Sequence, residues 1–276
     1  SVTGTTTIND SEVNVNGGSL GAATVNAAGT LDVNSGSVGA VTNNTNGTVE
    51  QTGTGTIASL NQINGNTTTD GAILGQATVS GGTATLAGSV GAALNGRGGA
   101  IAIENGDSLT VTGLTTMTSG SLAVDGTLVG NVGNNGSTNV GVEGQVTGDV
   151  TTQSGVTTIN GVVTGNVISG GVTTEFGINQ LATTGLTISD GVVNMDDAAS
   201  VASIAQTGGT LSVQNGTAGD VVTVVGDAAL SGTYAFDIDF PGEGGTAAAD
   251  RLDVGGAASG TLRLEYVDLG GQSREA

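Results

Sequence analysis

The feature that most constrains this chain is a short phrase that returns at a near-constant interval. The sequence reads Gly126-Thr-Leu-Val-Gly-Asn-Val132, then Gly144-Gln-Val-Thr-Gly-Asp-Val150, then Gly161-Val-Val-Thr-Gly-Asn-Val167. The offsets are 18 (144 − 126) and 17 (161 − 144). A second phrase, Ser154-Gly-Val-Thr-Thr158, returns as Gly170-Gly-Val-Thr-Thr174 after 16 residues (170 − 154). Self-similarity at a short fixed period signals stacked structural repeats.

Within each phrase the apolar residues alternate: Leu128 and Val132, Val146 and Val150, Val163 and Val167. Successive strand side chains point to opposite faces, so these pairs share one face. Gly130, Gly148 and Gly165 lie between them, where the chain bends. Stacking the copies sets Leu128 over Val146 over Val163 and builds a narrow continuous core. The reading is an all-β fold, a single-stranded parallel β-solenoid with coils of about 16–19 residues.

The same rhythm runs back toward the N-terminus. Gly18-Ser-Leu-Gly21, Gly36-Ser-Val-Gly39, Gly55-Thr-Ile-Ala58, Gly71-Ala-Ile-Leu74 and Gly88-Ser-Val-Gly91 start at offsets of 18, 19, 16 and 17. Second strands such as Thr30-Leu-Asp-Val33 and Thr83-Ala-Thr-Leu86 fall between them. Corners read Asn46-Gly47, Gly81-Gly82, Asn105-Gly106 and Asp125-Gly126, residue types that tolerate positive φ and bond their own backbone. Drift in coil length argues against a strict hexapeptide left-handed helix and fits a right-handed β-helix with variable corners. A loop is expected near Leu94 to Gly99. Thr, Ser and Asn take the outward positions, where stacked Asn and Thr can form hydrogen-bonded ladders. Thr-rich stretches such as Thr67-Thr68-Thr69 read as structural, because the flat Thr-x-Thr array of an ice-binding face is not repeated in every coil.

Composition excludes several functions. Net charge is −20, and the four basic residues are Arg97, Arg251, Arg263 and Arg274. Nucleic-acid binding needs clustered Lys and Arg to release counterions, and docking on anionic lipid needs the same. With Cys 0 and His 0, disulfides, thiolate or imidazole metal ligands and a serine triad's base are all missing. No run of ~20 apolar residues is present to span a membrane as a helix. The chain opens at Ser1 without a basic and then apolar leader, and is expected to be a processed or trimmed piece.

Residues 231–276 differ from the repeats of 1–230. Four of the five aromatics lie here, and Tyr234, Phe236, Ile238 and Phe240 alternate with Ala235, Asp237 and Asp239. Pro241 to Gly245 reads as a turn. A last coil exposes core and strand edges, so this section is expected to be a cap. Phe236 and Ile238 should be buried, with Phe236→Ala costing roughly 3–5 kcal/mol.

The stretch Ala249-Asp-Arg-Leu-Asp-Val-Gly-Gly-Ala-Ala-Ser-Gly260, after an aromatic strand and a Gly-rich turn, resembles the C-terminal end of bacterial autotransporter passengers. Asp250, Arg251, Leu252, Val254, Gly256, Ala258 and Gly260 match that pattern. The resemblance implies an autochaperone segment that nucleates folding, with a translocator β-barrel downstream in the same precursor. The upstream repeats are similar to a passenger β-helix; bactofilin filaments share part of their rhythm. Neither a signal peptide nor a barrel stands in this sequence, which departs from the family.

Carboxylates alone could do acid–base chemistry. Asp196-Asp197 are neighbours in a strand and point apart, while Asp237 and Asp239 share a face and could hold calcium through oxygen ligands. A solvated amphipathic strand explains the second pair better. The expectation is a non-enzyme without a cofactor, displayed extracellularly on the bacterial outer-membrane surface. It would act as an adhesin or self-associating cell–cell or biofilm factor, with itself or a host or abiotic surface as partner. A bactofilin-like structural filament is the alternative, and a β-helical glycan-active enzyme the weaker one.

Overall fold

The computed structural model describes residues 1–177, 185–195, 199–240 and 246–270. These residues form an all-β solenoid of about 11 turns of stacked parallel strands, with no helix among them. Two compact units are distinguished, Ser1–Gly148 and Asp149–Ala276.

In the first unit each turn feeds three parallel ladders. One stacks Leu31, Val49, Thr67, Ala84, Ile101, Leu122 and Thr138. A second stacks Leu20, Val38, Ile57, Ile73 and Val90, the apolar residue of each of the five N-terminal phrases. The third stacks Ala23, Val41, Leu60, Ala77, Leu94, Thr115 and Val132. All of these side chains are buried. Leu128 lies beside Val146, as the phrase repeat requires.

Coils this close leave no room for some side chains. A Cβ on Gly82, which has φ +69°, would lie 1.9 Å from the Gly65 carbonyl oxygen. Gly96 makes space for a larger neighbour, since a Cβ there would lie 2.2 Å from Cε of the stacked Met117.

Four amides, those of Asn43, Gln51, Gln62 and Asn134, are buried among the described residues of this unit. Asn43 Nδ2 donates to the Asn66 carbonyl (2.8 Å) and Thr67 Oγ1 (3.1 Å). Gln51 Nε2 donates to the carbonyls of Gly55 (2.7 Å) and Ala72 (3.0 Å), and Gln62 Nε2 to those of Gly65 (3.2 Å) and Gly81 (2.9 Å). These NH₂ groups satisfy carbonyls where the chain turns its corners, while Asn43 Oδ1, Gln51 Oε1 and Gln62 Oε1 are buried and meet no hydrogen-bond partner among the described residues. Outside, Asn9, Asn26 and Asn44 form one amide ladder (2.8 and 2.7 Å), and Asn16, Asn34 and Thr52 another (2.9 and 2.8 Å).

Spacing follows the expected coil length through most of this unit but reaches 21 residues from Ile101 to Leu122 (122 − 101). The expected loop at Leu94 to Gly99 is instead part of the strand Leu94–Ile103, with bulges on either side of Arg97. The extra residues lie between Ile101 and Val111, ten apart (111 − 101) against six from Ala84 to Val90 (90 − 84), a stretch that holds the Asn105-Gly106 corner; in the strand Leu94–Ile103, Arg97 stands opposite Ser119.

One outward column places acids in register. Asn14, Asp32 and Glu50 are neighbours across three coils. Partial burial, then Glu50 and Glu12, push the Asp32 carboxyl above its ordinary value of 3.8. A raised folded-state pKa means protonation favours the fold: the contribution is full below the ordinary value and is lost as pH rises through the folded one. Ionised Asp32 therefore costs stability at neutral pH. Asp32→Asn should raise the melting temperature at neutral pH and leave it unchanged in acid. A drop at neutral pH would show instead that the fold needs the charge.

In the second unit one column runs Val150, Val167, Leu186, Ile204, Ala228 and Ala258. Its steps are 17, 19 and 18, then 24 (228 − 204) and 30 (258 − 228), so the last turns outgrow the expected 16–19 residues. The added length includes the strands Val221–Val224 and Arg251–Val254, which pair with each other in a separate three-stranded sheet. A second column holds Ile159, Phe176 and Met195, all buried.

Candidate functional site

Two regions stand out, one in each unit. The first lies around the strand Thr233–Asp239. Alternation along it predicts one apolar and one solvated face, and the structure departs from this. Ile238 is buried as expected, and so are Tyr234, Ala235 and Asp237. Phe236, expected to be buried, is instead half-buried, and Phe240 is 43% exposed.

The physical reason is the segment 214–220. It supplies donors to the strand's polar side: Asp237 Oδ2 accepts the backbone N–H groups of Asn215 (3.0 Å) and Gly216 (2.8 Å). Asp250 completes the arrangement. Its Oδ1 accepts from the N–H groups of Gly219 (2.8 Å) and Asp220 (2.9 Å), and its Oδ2 from that of Asp237 (2.7 Å). Two buried carboxylates thus tie this segment to the aromatic strand through five main-chain donors. The Tyr234 hydroxyl is buried and meets no hydrogen-bond partner among the described residues. Burial and the nearby charges of Asp250, Asp220 and Asp253 push it above its ordinary range. Its ring stacks on Phe236 at 5.5 Å, and Phe236 meets Tyr266 at 6.2 Å.

The remaining residues singled out in the sequence have structural places. Leu252 and Val254 are half-buried beside Val222 and Val224. Arg251 is exposed and pairs with Asp253 of its own strand at 3.1 Å. Gly256 and Gly260 sit where a Cβ would collide with Asp227 Oδ1 (2.4 Å) and the Leu230 carbonyl (2.1 Å). The strand Arg263–Asp268 adds a further layer beside Thr233–Asp239, with Leu264 and Tyr266 more than 60% exposed (61% and 63%). Asp196-Asp197 and the turn at Pro241 to Gly245 lie outside the described residues. Among the described residues, no group of three or more acidic side chains is placed to hold a metal ion, and no helix is long and apolar enough to cross a membrane.

The second region is the outward side of the third ladder in the first unit. Thr7, Thr24, Thr42, Asn61, Thr78, Asn95 and Thr116 stand in one column, coil upon coil. The unit carries nine acidic residues, Asp10, Glu12, Asp32, Glu50, Asp70, Glu104, Asp107, Asp125 and Glu143, and none stands in this column. None stands two residues to either side of a column member, where Arg97 is the one charged residue. Arg97 is exposed and has no ion pair among the described residues. Sequence reading missed this surface because it looked for a uniform Thr-x-Thr array. The register, not the local motif, brings mixed Thr and Asn into one line.

Compared with protein-family models, curated proteins and solved structures, the chain gives no match.

Proposed function

We propose that this chain is a surface-displayed, autotransporter-like passenger that works as an adhesin through lateral association of its copies. The observation that carries this reading is the acid-free column of Thr and Asn on a chain of net charge −20. Two such chains repel at most orientations; this strip lets them approach without opposing carboxylates. Its hydroxyl and amide groups form contacts of about 0.5–1.5 kcal/mol net each, which add up when many tethered copies lie side by side. The resemblance of residues 249–260 to a passenger's C-terminal segment supports display on a cell surface.

Association should rise with salt, which screens the repulsion, and rise again toward the sequence pI of about 4.1. Light scattering of the purified chain, with clumping of cells that display it, tests this. Thr78→Glu places a charge in the strip and should abolish association. Thr110→Glu, outward on the second ladder, should not. Equal loss in both variants, or a monomer under all conditions, argues for a host or abiotic surface as the partner. A filament is the second reading, favoured by the exposed Leu264 and Tyr266 of the strand Arg263–Asp268. Head-to-tail fibres by electron microscopy, indifferent to Thr78→Glu, would support it.

A further inference from the structure

We propose that the Asn105–Gly106 corner is a self-modifying site, at which Asn105 converts without an enzyme to isoaspartate and aspartate. The backbone nitrogen of Gly106 loses its proton and attacks Cγ of Asn105. The bond from Cγ to the side-chain nitrogen breaks, ammonia leaves, and a five-membered succinimide forms. Water then adds to either of its two carbonyls, opening the ring to isoaspartate or aspartate. The sum is amide plus water giving acid plus ammonia, with no oxidant or other co-reactant.

The reaction needs a following residue without a side chain, an attacking N–H that is not held, access for water, and a backbone free to turn toward Cγ. The sequence holds eight Asn–Gly pairs, so composition alone does not choose among them. The structure does. Gly47 is buried and its N–H donates to the Asn44 carbonyl at 3.1 Å, which holds the nitrogen beside Asn46. Gly65 is buried, with its N–H on Asn64 Oδ1 at 2.8 Å. Gly96 is buried within a strand, and Gly161 is buried. The N–H of Gly136 donates to Asn134 Oδ1 (2.9 Å) and that of Gly216 to Asp237 Oδ2 (2.8 Å). Asn16 is tied by its Oδ1 into the outer amide ladder at 2.9 Å.

Asn16-Gly17 and Asn215-Gly216 share the exposure and the open glycine of Asn105-Gly106, but the Asn16 side chain and the Gly216 N–H are held, and Asn105-Gly106 has neither restraint among the described residues. Asn105 and Gly106 are both exposed. Gly106 has φ +90°, with nothing within 4 Å of where its Cβ would be. Its N–H meets no acceptor among the described residues. The corner is closed instead by the next residue, whose N–H (Asp107) donates to the Glu104 carbonyl at 3.0 Å. Conversion adds a carboxylate between Glu104 and Asp107. Isoaspartate also lengthens the main chain inside that closed turn, so the product marks chain age at one defined corner.

The test is peptide mapping by mass spectrometry of the folded chain aged in mild alkali in heavy-oxygen water. Residue 105 should take up the heavy oxygen at least about tenfold faster than any other Asn–Gly pair, as its unheld geometry requires. In the urea-unfolded chain the eight pairs should react at similar rates, showing that the fold selects the site. Asn105→Gln should remove the fast conversion, since a six-membered ring closes far more slowly, without altering circular dichroism. An unmodified Asn105, or another pair reacting as fast in the folded chain, overturns the proposal.

Discussion

Asp250→Ala is expected to destabilise the second unit by about 3 kcal/mol, because three main-chain donors lose their acceptor at once. Those donors are the N–H groups of Gly219, Asp220 and Asp237. The bond to Asp237 is wholly buried and the other two are partly so, which sets the figure below three full desolvation penalties. Asp250→Asn keeps one acceptor oxygen but turns an NH₂ toward a donor, and should cost less than alanine. Urea unfolding followed by tyrosine fluorescence reads this unit alone, since both tyrosines, Tyr234 and Tyr266, lie in it and there is no tryptophan. A loss under about 1 kcal/mol for the alanine variant would mean that solvent replaces the carboxylate.

Phe176→Ala should cost about 3–5 kcal/mol, the range for truncating a fully buried aromatic between packed neighbours. Phe176 is 2% exposed and stacks between Ile159 and Met195. The half-buried Phe236, by contrast, should lose roughly half as much on truncation. Measuring both by urea unfolding separates a core position from an aromatic at the edge of one. Equal costs would place Phe236 deeper than the structure does.

Much of the fold is legible in the sequence because a solenoid makes register local. The phrases around Leu20, Val38, Ile57, Ile73 and Val90 stack in the order in which they are read, since each coil needs only its neighbour to bury its face. Legibility fails where something other than the adjacent coil supplies the environment. Asp237 reads as solvated from its alternation, yet N–H groups of a segment 21 and 22 residues away bury it. The steps of 24 and 30 residues escape the period for the same reason: the added residues belong to a separate sheet. Asp250 was legible only as part of a motif; its role as the acceptor for three donors belongs to the fold. The acid-free strip needed the alignment of strands from seven coils, which no single window contains.

The buried amides of the first unit have a consequence for how the stack finds a unique alignment. A column of Val, Ile and Leu is nearly degenerate under translation by one coil: a slipped strand still meets an apolar neighbour about 4.8 Å away. Asn43 and Gln62 break that symmetry, because their NH₂ groups each meet two acceptors set by particular corners of the chain. The two are neighbours in one column, so a slip of one turn moves one amide into the other's place and sets the remaining one where Val25 or Val79 stands, with its donors facing methyl groups. The amide set against valine forfeits two hydrogen bonds inside the core, a penalty that the apolar contacts of the slipped stack do not recover. The polar residues in this narrow core thus act as an index: they number the coils, so that a sequence of similar repeats has one lowest arrangement rather than a series of them.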